Sequence, residues 1–348
     1  MNRIASPIFK EDLNDIFNSN FICWEQLKNQ TVLITGASGL IGSAITNSLL
    51  YISKKLELGI KIVVCVRDVT KAKNKIYIDG DVSFIETSIE NLSDVPMDVN
   101  YIVHSANPTD SSFFVRKPVE TIGTAVLGTR NILEIARKKN CKGVVYLSTM
   151  EVYGFPPKGS RIAETDVGSF DPTVVRNCYP LSKLLCESMV EAYAAEYSVP
   201  GKVVRLTQTF GPGVEYHDTR IFAEFARCAI ENKDIVLYSN GKTERCYLYV
   251  ADAVTAVIAV LLGGAPGEIF TAANSSTYCS IYDMAKMVAH EVAGDRIKVC
   301  FQIDGLDRGY ADTLYMNLDT TKIEALGWRP KRDLREMFFR MIEDLNYR

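Results

Sequence analysis

Residues 32–42 read VLITGASGLIG, and the placement of three glycines in that run sets the fold. An apolar, β-rich stretch beginning at Thr31 meets Gly36, Gly39 and Gly42, then passes directly into LIGSAITNSLLYISKK, whose apolar residues recur at helical spacing. Strand, glycine turn and helix in that order make a cradle for a pyrophosphate. Gly36 permits a sharp turn and Gly39 lets the anion approach the backbone. Gly42 lets the helix lie close to the strand, with the helix amino end facing the charge.

The same alternation continues downstream. IKIVVCV, VSFIET, VNYIVHSA and GVVYLST read as strands, and VETIGTAVLGTRNILEIARKK as a long amphipathic helix. Apolar strands interleaved with helices predict a parallel sheet covered on both faces. The expected class is therefore α/β, with a doubly wound parallel Rossmann sheet over 31–205. An extension, 1–30, precedes it, with Trp24 and Leu27 on a short amphipathic helix. After about Val204 the texture shifts to Gly-Pro pairs, loops and short strands such as DIVLYSN and ERCYLYV. A smaller C-terminal substrate-binding lobe is expected from 206–245 and 274–348. The chain returns to the sheet once, over about 246–273, through a helix at 251–262.

The totals exclude several classes. A chain of 348 residues with a formal net charge of −3 offers no basic field for nucleic acid and no polybasic membrane anchor. Nine cysteines show neither CxxC pairs nor metal-like Cys/His spacing, so no metal is expected and the thiols read as free. The first twenty residues hold no secretory apolar core. The longest apolar run, from Ala253 to Leu262, is short of the roughly 20 residues a bilayer span needs. A cytoplasmic protein is expected.

Chemistry concentrates in two places. STMEVYG (148–154) follows a buried strand, and NCYPLSKLLCESMVEAY (177–193) places Tyr179 and Lys183 one helical turn apart. A lysine ammonium beside a phenol, with a nicotinamide charge nearby, favours the phenolate and brings tyrosine into range as a base. At the end of the second strand, CVRDVTK places Arg67 before Asp68. An arginine there pairs with a 2′-phosphate, an acid with a free ribose hydroxyl. The expectation leans to NADP, with NAD kept open by Asp68.

Together, TGASGLIG (35–42), Thr149 ahead of VYG, and YPLSK (179–183) resemble the extended short-chain dehydrogenase/reductase family, over nearly the whole chain after residue 30. VVRLTQTFGPG, TERCYLYVADAV and LDTTKIEALGWRP extend the resemblance. Through HSANPTDSSFFVRKP, STMEVYG and RNCYPLSK the chain is most similar to the UDP-glucuronate decarboxylases within that family. The resemblance implies a catalytic set of Thr149, Glu151, Tyr179 and Lys183. It implies a dinucleotide held by Gly36, Ser38, Gly39, Leu40, Ile41, Gly42, Arg67, Ser88, Ile89, Ser105, Ala106, Tyr179 and Lys183. Substrate contacts would come from Asn107, Thr149 and Gln208, with Arg220 and Arg245 on the diphosphate and Arg308 near the nucleotide. Ordinary surface ion pairs are the alternative for Arg220 and Arg245. His104, at a strand end, reads as structural.

The chain also departs from the family. Met150 stands where sugar dehydratases carry a proton-donating aspartate. Leu314 and Tyr315 stand where decarboxylases carry a late arginine, and Ala125 where a helix asparagine is expected. The expected function is thus a nucleotide-sugar modifying enzyme working through transient hydride abstraction, with epimerase or decarboxylase-like chemistry. The alternative is an NADPH-dependent reductase of a UDP- or CDP-linked keto sugar or ketose. A non-enzymatic protein keeping fold and cofactor is a third reading, disfavoured by the intact Thr149, Tyr179 and Lys183. A homodimer through a four-helix bundle of helices 117–139 and 179–197 is implied, with Val126, Leu133, Leu184, Met189 and Tyr193 as contact candidates.

Overall fold

A computed structural model describes residues 6–303 and 313–347. The glycine run lies where the spacing predicts: β1 (Thr31–Thr35) leads through the glycines into α2 (Leu40–Lys55). Ahead of them, α1 (Pro7–Phe17) is capped by the Ser6 hydroxyl, and a 3-10 turn spans Trp24–Leu27. The alternation then runs through β2 (Lys61–Val66), α3 (Val69–Lys73), β3 (Val82–Glu86) and β4 (Tyr101–His104). It continues through α4 (Ser111–Arg116), α5 (Pro118–Lys138), β5 (Gly143–Thr149), α6 (Cys178–Tyr197) and β6 (Gly201–Leu206).

These strands form one sheet in the order β3-β2-β1-β4-β5-β6, joined at its far edge by β10 (Ile269–Ala272). Every pairing is parallel; the inner strands are buried as their apolar composition requires, and the edge strand β3 is only partly covered. Strand order reverses between β1 and β4, which opens a crevice at their carboxyl ends where ligands of such sheets bind. Gly36 and Ser105 sit at the two lips. Two buried clusters, one on each side of the sheet, cover its faces: Val32, Ile34, Val64 and Val103 point into one, Leu33, Val63 and Ile102 into the other.

After β6 come β7 (Gln208–Phe210), α7 (Ile221–Glu231), β8 (Ile235–Leu237), β9 (Glu244–Tyr249) and α8 (Val250–Gly263). Beyond β10 lie β11 (Asn274–Ser280), α9 (Ile281–Met287), β12 (Val299–Phe301), β13 (Tyr315–Met316), α10 (Thr321–Glu324) and α11 (Leu334–Asn346). Of the segment 246–273, only β10 pairs with the main sheet, while α8 packs on its face. β9 instead centres a second sheet with β7, β11 and β13.

The N-terminal helix docks through charge. Asp12 on α1 accepts from the Tyr249 hydroxyl at 2.8 Å and from Arg340 Nη2 on α11 at 2.7 Å. Burial nevertheless pushes its carboxyl up to about 6, against the pull of Arg340. Asp252, under the same helix, accepts from the backbone N–H of Lys331 and Arg332 and is raised to about 7 by burial. Both tryptophans belong to this end: the Trp24 indole donates to Phe17 O, and that of Trp328 to Asp252 O and Thr255 Oγ1.

Candidate active site

The crevice at the β1/β4 switch point starts from Gly36, whose φ of +72° a side chain would resist. A Cβ there would also lie 2.8 Å from Ser105 Oγ and 2.9 Å from Ala106 N. At Gly42 a Cβ would stand 2.4 Å from Gly36 O, so helix and turn touch only because both are glycine. No side chain caps α2 at Gly39, which leaves its first amides facing the crevice, as an anion requires. Thr35 ties the two lips together: its hydroxyl accepts from Ser105 N and Ala106 N at 3.2 Å and meets His104 Nδ1 at 2.8 Å. His104 Nε2 in turn meets Thr129 Oγ1. Burial pushes the imidazole down to about 3, helped by the Lys183 charge. His104 is therefore a neutral strut between β1, β4 and α5.

At the end of β2, Arg67 is exposed; burial opposes ionisation of Glu90, but the Thr124 hydroxyl, and least of all the Arg67 charge, hold that carboxyl low. Asp68 is spent as the cap of α3, accepting from Lys71 N at 2.8 Å. Ser88 precedes the turn 89–91 and makes no capping side-chain bond to it. The Ile89 side chain is buried under α5 against Gly128, so only its backbone can face a cofactor.

At the carboxyl end of β5, Thr149 accepts from Glu151 N at 3.3 Å and begins a 3-10 turn, Met150–Tyr153. Met150 points away from the crevice into a buried cluster with Tyr153, Ile162 and Met316, where its sulfur accepts from the Thr207 hydroxyl. The position that would carry a dehydratase acid is part of the core. Glu151 stays half-exposed and takes a 2.8 Å ion pair from Arg176 Nη2.

Tyr179 and Lys183 share one face of α6 and are both buried. Lys183 Nζ donates to Leu147 O at 2.7 Å and lies 5.9 Å from the centre of the Tyr179 ring. Burial lowers the lysine to about 8, with Cys186 and Glu187 opposing. Burial and then the Glu151 charge raise the Tyr179 phenol, while the Thr149 hydroxyl and Arg176 pull it down. The ammonium is turned to the β5 carbonyl, and the nearby counter-charge comes from Arg176.

Farther out, Gln208 and Arg245 are brought together across β7 and β9, with Nη1 donating to Oε1 at 3.2 Å. Arg245 Nε and both amide atoms of Asn107 are buried without a hydrogen-bond partner among the described residues. Such groups are costly unless a polar ligand meets them. Arg220 does not join them: its fork grips Asp218 at 3.0 and 2.6 Å, the surface pair that was its alternative reading. Arg308 lies outside the described residues. Among the dimer candidates, Leu133 is corrected, since it is buried in the core beneath α5. Val126, Met189 and Tyr193 are half-buried against the same cluster, while Val119, Ile122, Leu127, Leu185 and Tyr197 are the exposed large hydrophobic residues of α5 and α6.

Three residues at the site carried no assignment in the sequence. Arg176 precedes Tyr179 by three positions, and Phe114 stacks on the Tyr179 ring at 4.0 Å with planes 7° apart. Glu187, one turn beyond Lys183, binds Arg205 and accepts from Ser148 Oγ. Only Glu187 had a readable signal, its i+4 spacing from Lys183.

Comparison with known proteins finds relatives over most of the chain. The chain is 28% identical to UDP-glucuronic acid decarboxylase 6 of Arabidopsis thaliana, over 92% of this chain and 90% of that protein. It is 26% identical to UDP-glucuronic acid decarboxylase 1 of Xenopus tropicalis, over 88% and 69%. It shares its fold with a UDP-glucose 4-epimerase of Thermotoga maritima solved with UDP-glucose (TM-score 0.76, 23% identity, 91% of this chain and 99% of that one). The same holds for DesIV, a dTDP-glucose 4,6-dehydratase of Streptomyces venezuelae solved with NAD (TM-score 0.76, 22% identity, 91% and 97%). Residues 32–273 match the NAD dependent epimerase/dehydratase family, and the chain belongs to that family.

Proposed function

We propose that this protein is an NAD(P)-dependent enzyme that modifies the sugar of a nucleotide sugar through transient oxidation at C4, by epimerase or decarboxylase-like chemistry. The observation that carries the reading is the gathering of Thr149, Glu151, Tyr179 and Lys183 at the end of β5, beside the glycine cradle. Gly36, Ser38, Gly39, Leu40, Ile41 and Gly42 would hold the pyrophosphate, and Ser88, Ser105 and Ala106 the flanks. Bound there, the nicotinamide supplies a hydride acceptor and, on return, a donor. Tyr179 takes the proton of the sugar hydroxyl, and Thr149 hydrogen-bonds the same oxygen. Lys183 stays fixed by Leu147 O and keeps a positive charge behind the phenol. Glu151 is the group available to move a proton at the carbon next to the ketone. Asn107, Gln208 and Arg245 have open or adjustable polar atoms for the sugar and diphosphate.

Incubation with UDP-glucuronate, UDP-glucose and UDP-N-acetylglucosamine, followed by NMR, tests this. We expect turnover of at least one, abolished by Tyr179→Phe with dinucleotide affinity kept. No turnover of any nucleotide sugar by the cofactor-loaded protein would sink the reading.

NADP is the form we favour, because Asp68 is occupied as a helix cap while Arg67 is exposed beside it. Equal affinity for NAD and NADP would remove that preference. The same observation favours a second reading, net reduction of a UDP- or CDP-linked ketose, in which added NADPH is consumed stoichiometrically. A homodimer through α5 and α6 completes the proposal, supported by the exposed Val119, Ile122, Leu127 and Leu185 on helices that pack on one another.

A further inference from the structure

The ring of Tyr179 is covered by Phe114, a side chain from α4 that is only 1% exposed. The guanidinium of Arg176 lies over the same Phe114 ring, 4.8 Å from its centroid. Its Nη2 reaches Glu151 Oε2 at 2.8 Å. The thiol of Cys178 adds a fourth tie, donating to Phe114 O at 3.5 Å. Three short segments, 111–116, 150–153 and 175–177, are thereby fastened around one phenol. None is held there by a long element of its own. The charged or titratable groups facing Tyr179 are Glu151 from the turn after β5, Arg176 from the turn before α6, Lys183 from α6 and the Tyr146 phenol from β5.

We infer that Arg176, steadied by Phe114, is a positioning residue that offsets the Glu151 carboxylate beside Tyr179 and fixes where that carboxylate points. The inference deepens the proposed reading of Tyr179 as base and rests on it. A carboxylate near a phenol opposes phenolate formation, so an acid useful for proton movement at carbon would otherwise weaken the base next to it. Arg176 resolves the conflict. Its planar fork holds one carboxylate oxygen and its flat face rests on Phe114, a combination lysine reproduces only in charge. The upward push of Glu151 and the downward pull of Arg176 on Tyr179 agree in sign with this arrangement.

The test compares wild type, Arg176→Gln, Arg176→Lys and the double variant Arg176→Gln/Glu151→Gln. Removing one partly exposed charge beside the ring should move the acidic limb of the kcat profile up by about one pH unit, roughly a tenfold loss at fixed pH on that limb. Arg176→Lys should recover part of the shift. The double variant should return the limb to its wild-type position even though its maximal rate is lower. A limb that stays in place in Arg176→Gln, or a double variant displaced as far as the single, overturns the inference. To separate this from failure of the proposed reaction, the Tyr179 phenol is titrated without turnover, by 13Cζ-tyrosine NMR of the dinucleotide-loaded protein assigned with Tyr179→Phe. A Tyr179 signal that titrates higher in Arg176→Gln supports the inference whatever the substrate, and an unmoved signal refutes it.

Discussion

Replacing Arg205 by methionine removes the cation from the most deeply buried ion pair behind the catalytic strand. Arg205 and Glu187 are 1% and 4% exposed. Arg205 Nε donates to both carboxylate oxygens at 3.1 and 3.2 Å, Nη2 donates at 2.7 Å, and Nη1 reaches Glu164 O at 2.7 Å. The guanidinium also lies 4.9 Å from the centre of the Tyr153 ring. Methionine fills much of the volume but leaves Glu187 a buried carboxylate with Ser148 as its one hydrogen-bond donor among the described residues. Removing one partner of a buried pair costs about 3–5 kcal/mol, set by the uncompensated charge. Against a total of roughly 5–15 kcal/mol this is a large share. In urea the midpoint should fall by on the order of 1 M, given slopes of a few kcal/mol/M for a chain this long. Arg205→Met/Glu187→Leu should recover more than half the loss, because an apolar pair is often as stable as a buried ionic one. Denaturation curves with matched slopes measure both. A single-variant loss below about 1 kcal/mol, or a double variant as unstable as the sum of its parts, would refute the reasoning.

Four further outcomes are expected. Gly42→Ala, whose methyl would meet Gly36 O at 2.4 Å, should weaken dinucleotide binding at least tenfold in equilibrium dialysis. Gly123→Ala, with nothing within 4 Å, should leave binding unchanged and add up to about 1 kcal/mol of stability. Asp252 has its folded value raised to about 7. Its contribution is therefore full below the ordinary carboxylate range and is lost as pH rises towards 7. Asp252→Asn should raise Tm over wild type near pH 8, by roughly 1–3 kcal/mol equivalent, and the gain should vanish near pH 4; a gain independent of pH contradicts it. Leu127→Glu with Leu185→Glu, both half exposed on α5 and α6, should yield a monomer by light scattering, and a wild-type monomer would refute the proposed dimer.

The glycine cradle was legible because its cause is local. A turn, a close approach and a helix start all lie within eleven residues, and α2 begins and ends where its periodic run does. The Tyr179–Lys183 face was legible for the same reason. Arg176 was not, because its partners Glu151 and Phe114 arrive from segments 25 and 62 residues away, through a stretch, 155–177, with no periodicity to follow. Leu133 was misassigned because α5 is apolar on two faces, and spacing alone does not say which one meets the sheet. For Arg220, residue type shows what a fork can bind, whereas its pairing with Asp218, two residues before it, becomes visible only in the structure. Helix α1 carries a clear apolar face, yet its docking depends on Tyr249, Arg332 and Arg340, far along the chain.

That docking gives the molecule a native optical probe. Its only two tryptophans sit at the N-terminal extension and its seat: Trp24 is bonded to Phe17 O, and Trp328 adjoins Gly327, where an added Cβ would lie 2.9 Å from Phe21. Intrinsic emission therefore reads out attachment of residues 6–27, and the crevice chemistry is carried by tyrosines instead. An unfolding trace followed by tryptophan fluorescence will register detachment of this extension, whereas far-ultraviolet circular dichroism will register loss of the sheet and helices. Any gap between the two midpoints measures how independently the extension lets go.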